Sequence, residues 1–178
     1  MLSKYGNIKI VILLLLVNFT IVSCKSKKDI SDSKSSKNDD KITSKYALLL
    51  KTSEQNITNS KLYSFIDSWY GTPYKFGGND KNGIDCSGFV FKLYEQVYLT
   101  KTPRTTSELN DLVKDIKKKD LKEGDLVFFK TDTKKVSHVG VYLMNNKFVH
   151  ASNKKGIMIS DLNEEYFEKS YYKGGRLK

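Results

Sequence analysis

Residues 83–97 read Gly83-Ile84-Asp85-Cys86-Ser87-Gly88-Phe89-Val90-Phe91-Lys92-Leu93-Tyr94-Glu95-Gln96-Val97. Phe89, Val90, Leu93 and Val97 recur at the three- and four-residue spacing of one helix face, so a buried helix opens at or beside Cys86. The preceding residues, Gly71-Thr72-Pro73-Tyr74-Lys75-Phe76-Gly77-Gly78-Asn79-Asp80-Lys81-Asn82-Gly83, are dense in Gly, Asn and Asp and mark a structured loop with close backbone approach. A thiol is a weak nucleophile until it ionises, and a helix N-terminus lowers its pKa. Cys86, where loop meets helix, is therefore a candidate nucleophile.

Working outward, Leu62, Phe65, Ile66 and Trp69 predict an amphipathic helix after an N-cap at Thr58 or Asn59, ending at Gly71 ahead of Pro73. Tyr46 and Leu48 to Leu50 suggest a short helix before it. Beyond a polar connection from Leu99 to Glu123 with some helix, the period changes to two: Asp125 to Phe129, Val139 to Met144, Lys147 to His150 and Gly156 to Ser160 read as strands. Asn145-Asn146 suits a tight hairpin turn, because Asn tolerates positive φ. Glu164 to Phe167 predicts one helical turn, and Tyr172 to Leu177 a last strand. Helices followed by an antiparallel sheet give the α+β class.

The chain has two histidines, and both fall on these strands: Val136-Ser137-His138-Val139-Gly140 and Phe148-Val149-His150-Ala151-Ser152. His138 is a candidate general base for Cys86, and His150 a third group that would hold the His138 ring. A two-residue hairpin turning at Asn145-Asn146 sets His150 opposite Tyr142 or Val141, about four residues or 13 Å from His138. Contact between the rings therefore needs a bulge, strong curvature or another pairing. The plain alternatives are a Cys86 that is a small buried hydrophobe and histidines that are structural. Cys86, His138 and His150 are also zinc-ligand types, but closely spaced ligand pairs are absent.

A chain of 178 residues with 39% hydrophobic residues supports one globular core and a tail. The formal charge of +11 invites a nucleic-acid reading. The lysines are dispersed, however, with no zinc-finger spacing or Arg-bearing recognition helix, so a solvated basic surface is expected and nucleic acid is not. Lys4 and Lys9 precede an apolar run from Ile10 to Val17 and the sequence Ile21-Val22-Ser23-Cys24, the pattern of an export signal. The segment resembles a bacterial lipoprotein signal, which implies acylation of Cys24 and a membrane anchor. Residues 25–43 are Ser, Lys, Asp and Asn with almost nothing apolar and read as a flexible tether, leaving 44–178 as the domain. With Cys24 acylated, Cys86 has no disulfide partner.

Six ordered motifs carry a closer resemblance: Gly71-Thr72-Pro73-Tyr74-Lys75-Phe76-Gly77-Gly78, Asp85-Cys86-Ser87-Gly88-Phe89-Val90, Pro103-Arg104-Thr105-Thr106, Gly124-Asp125-Leu126-Val127-Phe128-Phe129, Ser137-His138-Val139-Gly140-Val141-Tyr142, and Phe148-Val149-His150-Ala151-Ser152. From about Leu62 onward the chain resembles the NlpC/P60 family of bacterial cell-wall cysteine peptidases. That resemblance implies a circularly permuted papain-like α+β fold, with N-terminal helices on a curved antiparallel sheet that brings the two histidines together. It implies Cys86 as nucleophile, His138 as base, His150 as third residue and Tyr74 near the oxyanion. Asp85, Ser87, Ser137 and Arg104 would line the substrate cleft, with Asp85 receiving an amine and Arg104 either meeting a carboxylate or holding the loop. The implied substrate is a peptidoglycan stem peptide or cross-link, with no cofactor and a monomeric enzyme in the bacterial envelope. Alternatives on the same fold are a catalytically silent wall-binding lipoprotein and an amidase or acyltransferase.

Overall fold

The computed structural model describes residues 28–131 and 134–177, so the segment expected to be an export signal, with Cys24, lies outside the described residues. In chain order the elements are helix α1 (Lys28–Leu50), helix α2 (Ser60–Trp69), strands β1 (Asn79–Asp80) and β2 (Gly83–Ile84), helix α3 (Cys86–Val97), helix α4 (Thr106–Leu112), strands β3 (Lys114–Ile116), β4 (Leu126–Phe129), β5 (His138–Tyr142), β6 (Lys147–Ser152) and β7 (Gly156–Asp161), helix α5 (Glu165–Ser170) and strand β8 (Tyr171–Arg176). The last six strands form one antiparallel sheet in the order β3-β8-β4-β5-β6-β7. This is the expected α+β architecture.

The helix ahead of the domain differs from expectation, because its backbone is helical through the polar residues from 28 onward rather than only near Tyr46. Asn38 to Lys41 are exposed, and packing begins at Ile42, followed by Tyr46, Ala47 and Leu50 along one face. A buried turn supplies the nucleus, and the stretch before it contains no Gly or Pro to stop propagation.

α2 is capped by Asn59, whose side chain accepts the Leu62 N–H (3.1 Å), and ends at Trp69, two residues short of Gly71. It buries Leu62, Tyr63, Phe65, Ile66 and Trp69. Trp69 packs against Phe65 and against Phe89 of α3, and the Lys81 ammonium sits 3.8 Å from its ring centroid. α3 in turn lies across β5 and β6, with Phe89, Val90, Leu93 and Val97 buried as the spacing predicts.

The sheet is covered on both faces. Leu126, Phe128, Val139 and Val141 join the helices in the main core, while Val127, Phe129 and Phe148 form a second core with Leu162 and Phe167 of α5. β4 is therefore buried at every position, which accounts for its unbroken apolar run. The β5–β6 hairpin turns at Asn145 and Asn146 with φ of 50° and 61°, as expected. Its register is shifted by one: Leu143 N–H donates to Lys147 O (2.9 Å) and Lys147 N–H to Met144 O (2.8 Å), so Val141 pairs with Val149 and Tyr142 with Phe148. Leu143 and Met144 together oppose Lys147, a bulge beside the turn. It carries His150 one residue nearer to His138 than a plain hairpin would.

Candidate active site

Asp85 is the N-cap of α3, and its Oδ1 accepts the Gly88 N–H at 2.7 Å. The same oxygen accepts Arg104 Nη1 (2.7 Å) and the Ser87 hydroxyl (3.3 Å), while Oδ2 accepts the Gly77 N–H (2.8 Å). Arg104 also donates to Ser87 Oγ (3.1 Å) and Gly78 O (2.6 Å). One carboxylate and one guanidinium thus clamp the Gly-rich loop, the α3 N-terminus and the segment before α4 together. Burial pushes the Asp85 carboxyl up, but the Arg104, Gly88 and Gly77 donors outweigh it and hold the carboxyl below its usual range.

Cys86 opens α3 at the floor of a cleft of about 420 Å³. The cleft collects Tyr74, Asp85, Ser87, Arg104 and Ser137 from the sequence candidates, and adds Phe76, Thr105 and Thr106. Phe76 is 90% exposed on its rim. The Cys86 thiol lies 3.6 Å from Thr106 Oγ1 and receives the amide of Val139, the residue after His138. The helix N-terminus was expected to lower the thiol pKa, but burial dominates and raises it, against the opposing pull of Thr106 and the Val139 and Ser87 amides. Burial also raises the Tyr74 phenol, with smaller contributions from Cys86 and Asp85.

The two histidines meet. His138 Nε2 lies 2.8 Å from His150 Nδ1, with the rings at 88° and centroids 4.9 Å apart. The bulge aligns His150 nearly opposite Gly140, two positions from His138 on the same sheet face, within reach of two imidazoles. Gly140 leaves that face open: a Cβ there would lie 2.6 Å from Phe148 Cδ2. Phe129, Phe148 and Phe167 surround the pair. Burial lowers His138 to about 4, and burial followed by the charge of His138 takes His150 well below its ordinary value. Both rings are therefore neutral near pH 7.

His150 has a second partner that sequence reasoning missed. Its Nε2 lies 3.1 Å from the Ser160 hydroxyl, which is 5% exposed. Ser160 pairs with Phe148 and stands diagonal to His150 on β7, so the period-two pattern already placed it on the histidine face. Thr106 closes the Pro103-Arg104-Thr105-Thr106 motif, but its spacing from Cys86 did not reveal that the first residue of α4 reaches the thiol. Among the described residues, no group of three His, Cys, Asp or Glu side chains could hold a metal ion.

Cys86 at the N-terminus of α3 lies beside β5, which begins with the paired His138, and residues 71–176 match the NlpC/P60 family. The chain belongs to the NlpC/P60 family. A Haemophilus influenzae relative named probable endopeptidase NlpC homolog is 44% identical over 116 residues, covering 65% of this chain and 61% of the relative. The Escherichia coli murein DD-endopeptidase MepS/murein LD-carboxypeptidase is 39% identical over 118 residues, covering 66% and 62%. This NlpC/P60 chain thus spans about three fifths of the length of these relatives. Among solved structures, a Staphylococcus aureus protein described as similar to lipoprotein, NLP/P60 family, superposes with a TM-score of 0.61 at 28% identity, covering 67% of this chain and 41% of that one.

Proposed function

We propose that this protein is an exported cysteine endopeptidase that hydrolyses peptide or isopeptide bonds in peptidoglycan stem peptides or their cross-links. The observation that carries the reading is the 2.8 Å contact between His138 Nε2 and His150 Nδ1, which occupies one ring nitrogen of His138 and makes Nδ1 the one that would serve Cys86. The names of the relatives, probable endopeptidase NlpC homolog and murein DD-endopeptidase, support the substrate class.

With thiol and imidazole both neutral at rest, attack is base-assisted rather than the work of a preformed ion pair. His138 Nδ1 takes the Cys86 proton as Sγ bonds to the substrate carbonyl carbon. The imidazolium then returns that proton to the departing amine nitrogen as the C–N bond breaks, and water releases the acyl group by the same route. The Tyr74 hydroxyl and the first amides of α3 stabilise the oxyanion. Ser137 contacts the stem peptide, whereas the buried Ser87 hydroxyl is engaged by Asp85 and Arg104 and supports the cleft wall. Asp85 and Arg104 act by holding the cleft wall, since their groups are engaged with each other and with the loop. Cys24, behind Lys4, Lys9 and the apolar run, carries acyl chains that anchor the enzyme in the bacterial envelope.

The buried thiol, hydrogen bonded to Thr106 and with its pKa raised, favours a second reading: a domain that binds the wall without cutting it. Mass spectrometry of muropeptides after incubating peptidoglycan with the protein and with its Cys86→Ala variant separates the two. Fragments from the unmodified protein alone support hydrolysis, and their masses identify the bond. Unchanged profiles with both folded proteins, together with retention on peptidoglycan, support the binding domain.

A further inference from the structure

His138, His150 and Ser160 form a hydrogen-bonded chain whose direction matters. Contacts of 2.8 Å (His138 Nε2 to His150 Nδ1) and 3.1 Å (His150 Nε2 to Ser160 Oγ) fix the order of the groups but admit two polarities. In one, the Ser160 hydroxyl accepts from His150 Nε2–H, His150 Nδ1 accepts from His138 Nε2–H, and His138 Nδ1 keeps a bare lone pair. In the other, Ser160 donates to His150 Nε2, His150 Nδ1–H donates to His138 Nε2, and the remaining proton of neutral His138 sits on Nδ1. Only the first lets His138 take a proton from Cys86, and it needs no bond to reverse when His138 becomes imidazolium.

We propose that Ser160 is a positioning residue that holds His150 in its Nε2–H tautomer and thereby keeps Nδ1 of His138 free to accept the thiol proton. This rests on the reading of His138 as the base. Three features carry it. Ser160 is nearly fully buried, so water does not readily replace it. It stands on β7, whose pairing with β6 runs without interruption from Lys147 to Ser152, so its hydroxyl is held in register with His150. Among the described residues the His150 ring packs against His138 and the rings of Phe148 and Phe167, and the phenylalanines offer no competing hydrogen-bond acceptor. Without the hydroxyl, an Nε2–H would be buried unpaired and the His150 proton would move to Nδ1.

The test uses the full chain labelled with ¹⁵N-histidine, in which two histidines give only four ring nitrogens to assign. The wild-type protein at pH 7 should show both imidazoles as Nε2–H tautomers. Ser160→Ala should move His150 toward Nδ1–H and lower kcat by about ten- to hundredfold with KM little changed. Ser160→Thr, which keeps the hydroxyl, should restore the tautomer and most of the rate. A wild-type His150 protonated on Nδ1, or an alanine variant that keeps both tautomer and rate, overturns the proposal. The spectra read the tautomers even in a protein that hydrolyses nothing, so failure of the peptidase reading stays distinguishable from failure of this one.

Discussion

Burial shifts the Cys86 thiol and the His138 imidazole in opposite directions, raising the one and lowering the other. His138 has an ordinary pKa of 6.5 and is lowered to about 4 in the folded protein. Between those values the unfolded chain binds a proton that the folded one does not. Stability from this group is therefore complete above pH 6.5 and is lost as the pH falls toward 4, on the order of 3 kcal/mol. Thermal melts from pH 7 to 4.5 should show that loss, and His138→Gln should lessen it while leaving the share due to His150, whose pKa is lowered as well; an equally steep decline in the variant would place the acid sensitivity elsewhere. The raised thiol makes a second expectation: alkylation of Cys86 by iodoacetamide should be slow at pH 7 and accelerate only in alkaline solution, whereas rapid labelling at neutral pH would mean a preformed ion pair. Cys86 and both histidines could be found from sequence because their side-chain chemistry is rare in this chain. What sequence could not convey was the balance between the α3 N-terminus and burial at the thiol, since that depends on how deeply Thr106 and β5 enclose it.

Among the elements, the hairpin between β5 and β6 shows how a small backbone detail governs the site. Alternation located both strands and the Asn145-Asn146 turn, yet the bulge at Leu143 and Met144 left no mark in the period-two pattern. A hairpin with and without it has the same apolar residues. Gly140 is the position where the element is least tolerant, because a Cβ would stand 2.6 Å from Phe148 Cδ2 and 3.0 Å from Val149 O. Gly140→Ala should cost about 1–3 kcal/mol and reduce activity beyond what lost stability explains, as the displaced Phe148 ring pushes on His150. Comparing denaturant midpoints with kcat checks both parts. Gly156, at φ +71°, is tighter still, with a Cβ only 2.1 Å from Thr72 O. Here the neighbour is backbone that bonds β7 to the Gly-rich loop through Ile157 N–H to Thr72 O (2.9 Å). Gly156→Ala should therefore lower the melting temperature more than Gly140→Ala; the reverse order would show that the loop yields easily.

In the molecule as a whole, the helices and the sheet share one core, and α5 closes a second around the histidine pair. The α+β class followed from the change of period along the chain, and the second core from nothing so visible, because Phe167 lies in a single helical turn. Helix α1 shows the converse: composition described its exposed residues correctly but not their backbone, which follows from the buried turn at Ile42 to Leu50. A chain beginning at residue 38 should melt at the same temperature as one beginning at 28. One beginning at residue 51 should lose several kcal/mol, because Tyr46 and Leu50 are fully buried and the Asn145 side chain donates to Leu50 O (3.0 Å). Equal melting of all three would make α1 an appendage. The single tryptophan adds an optical consequence. Trp69 is wedged between Phe65 and Phe89 beneath the Lys81 ammonium, in the layer that carries Cys86 and apart from the aromatic rings around His150. Its fluorescence is thus a built-in gauge of whether the helix that bears Cys86 is seated, and it is silent about the layer around the two histidines.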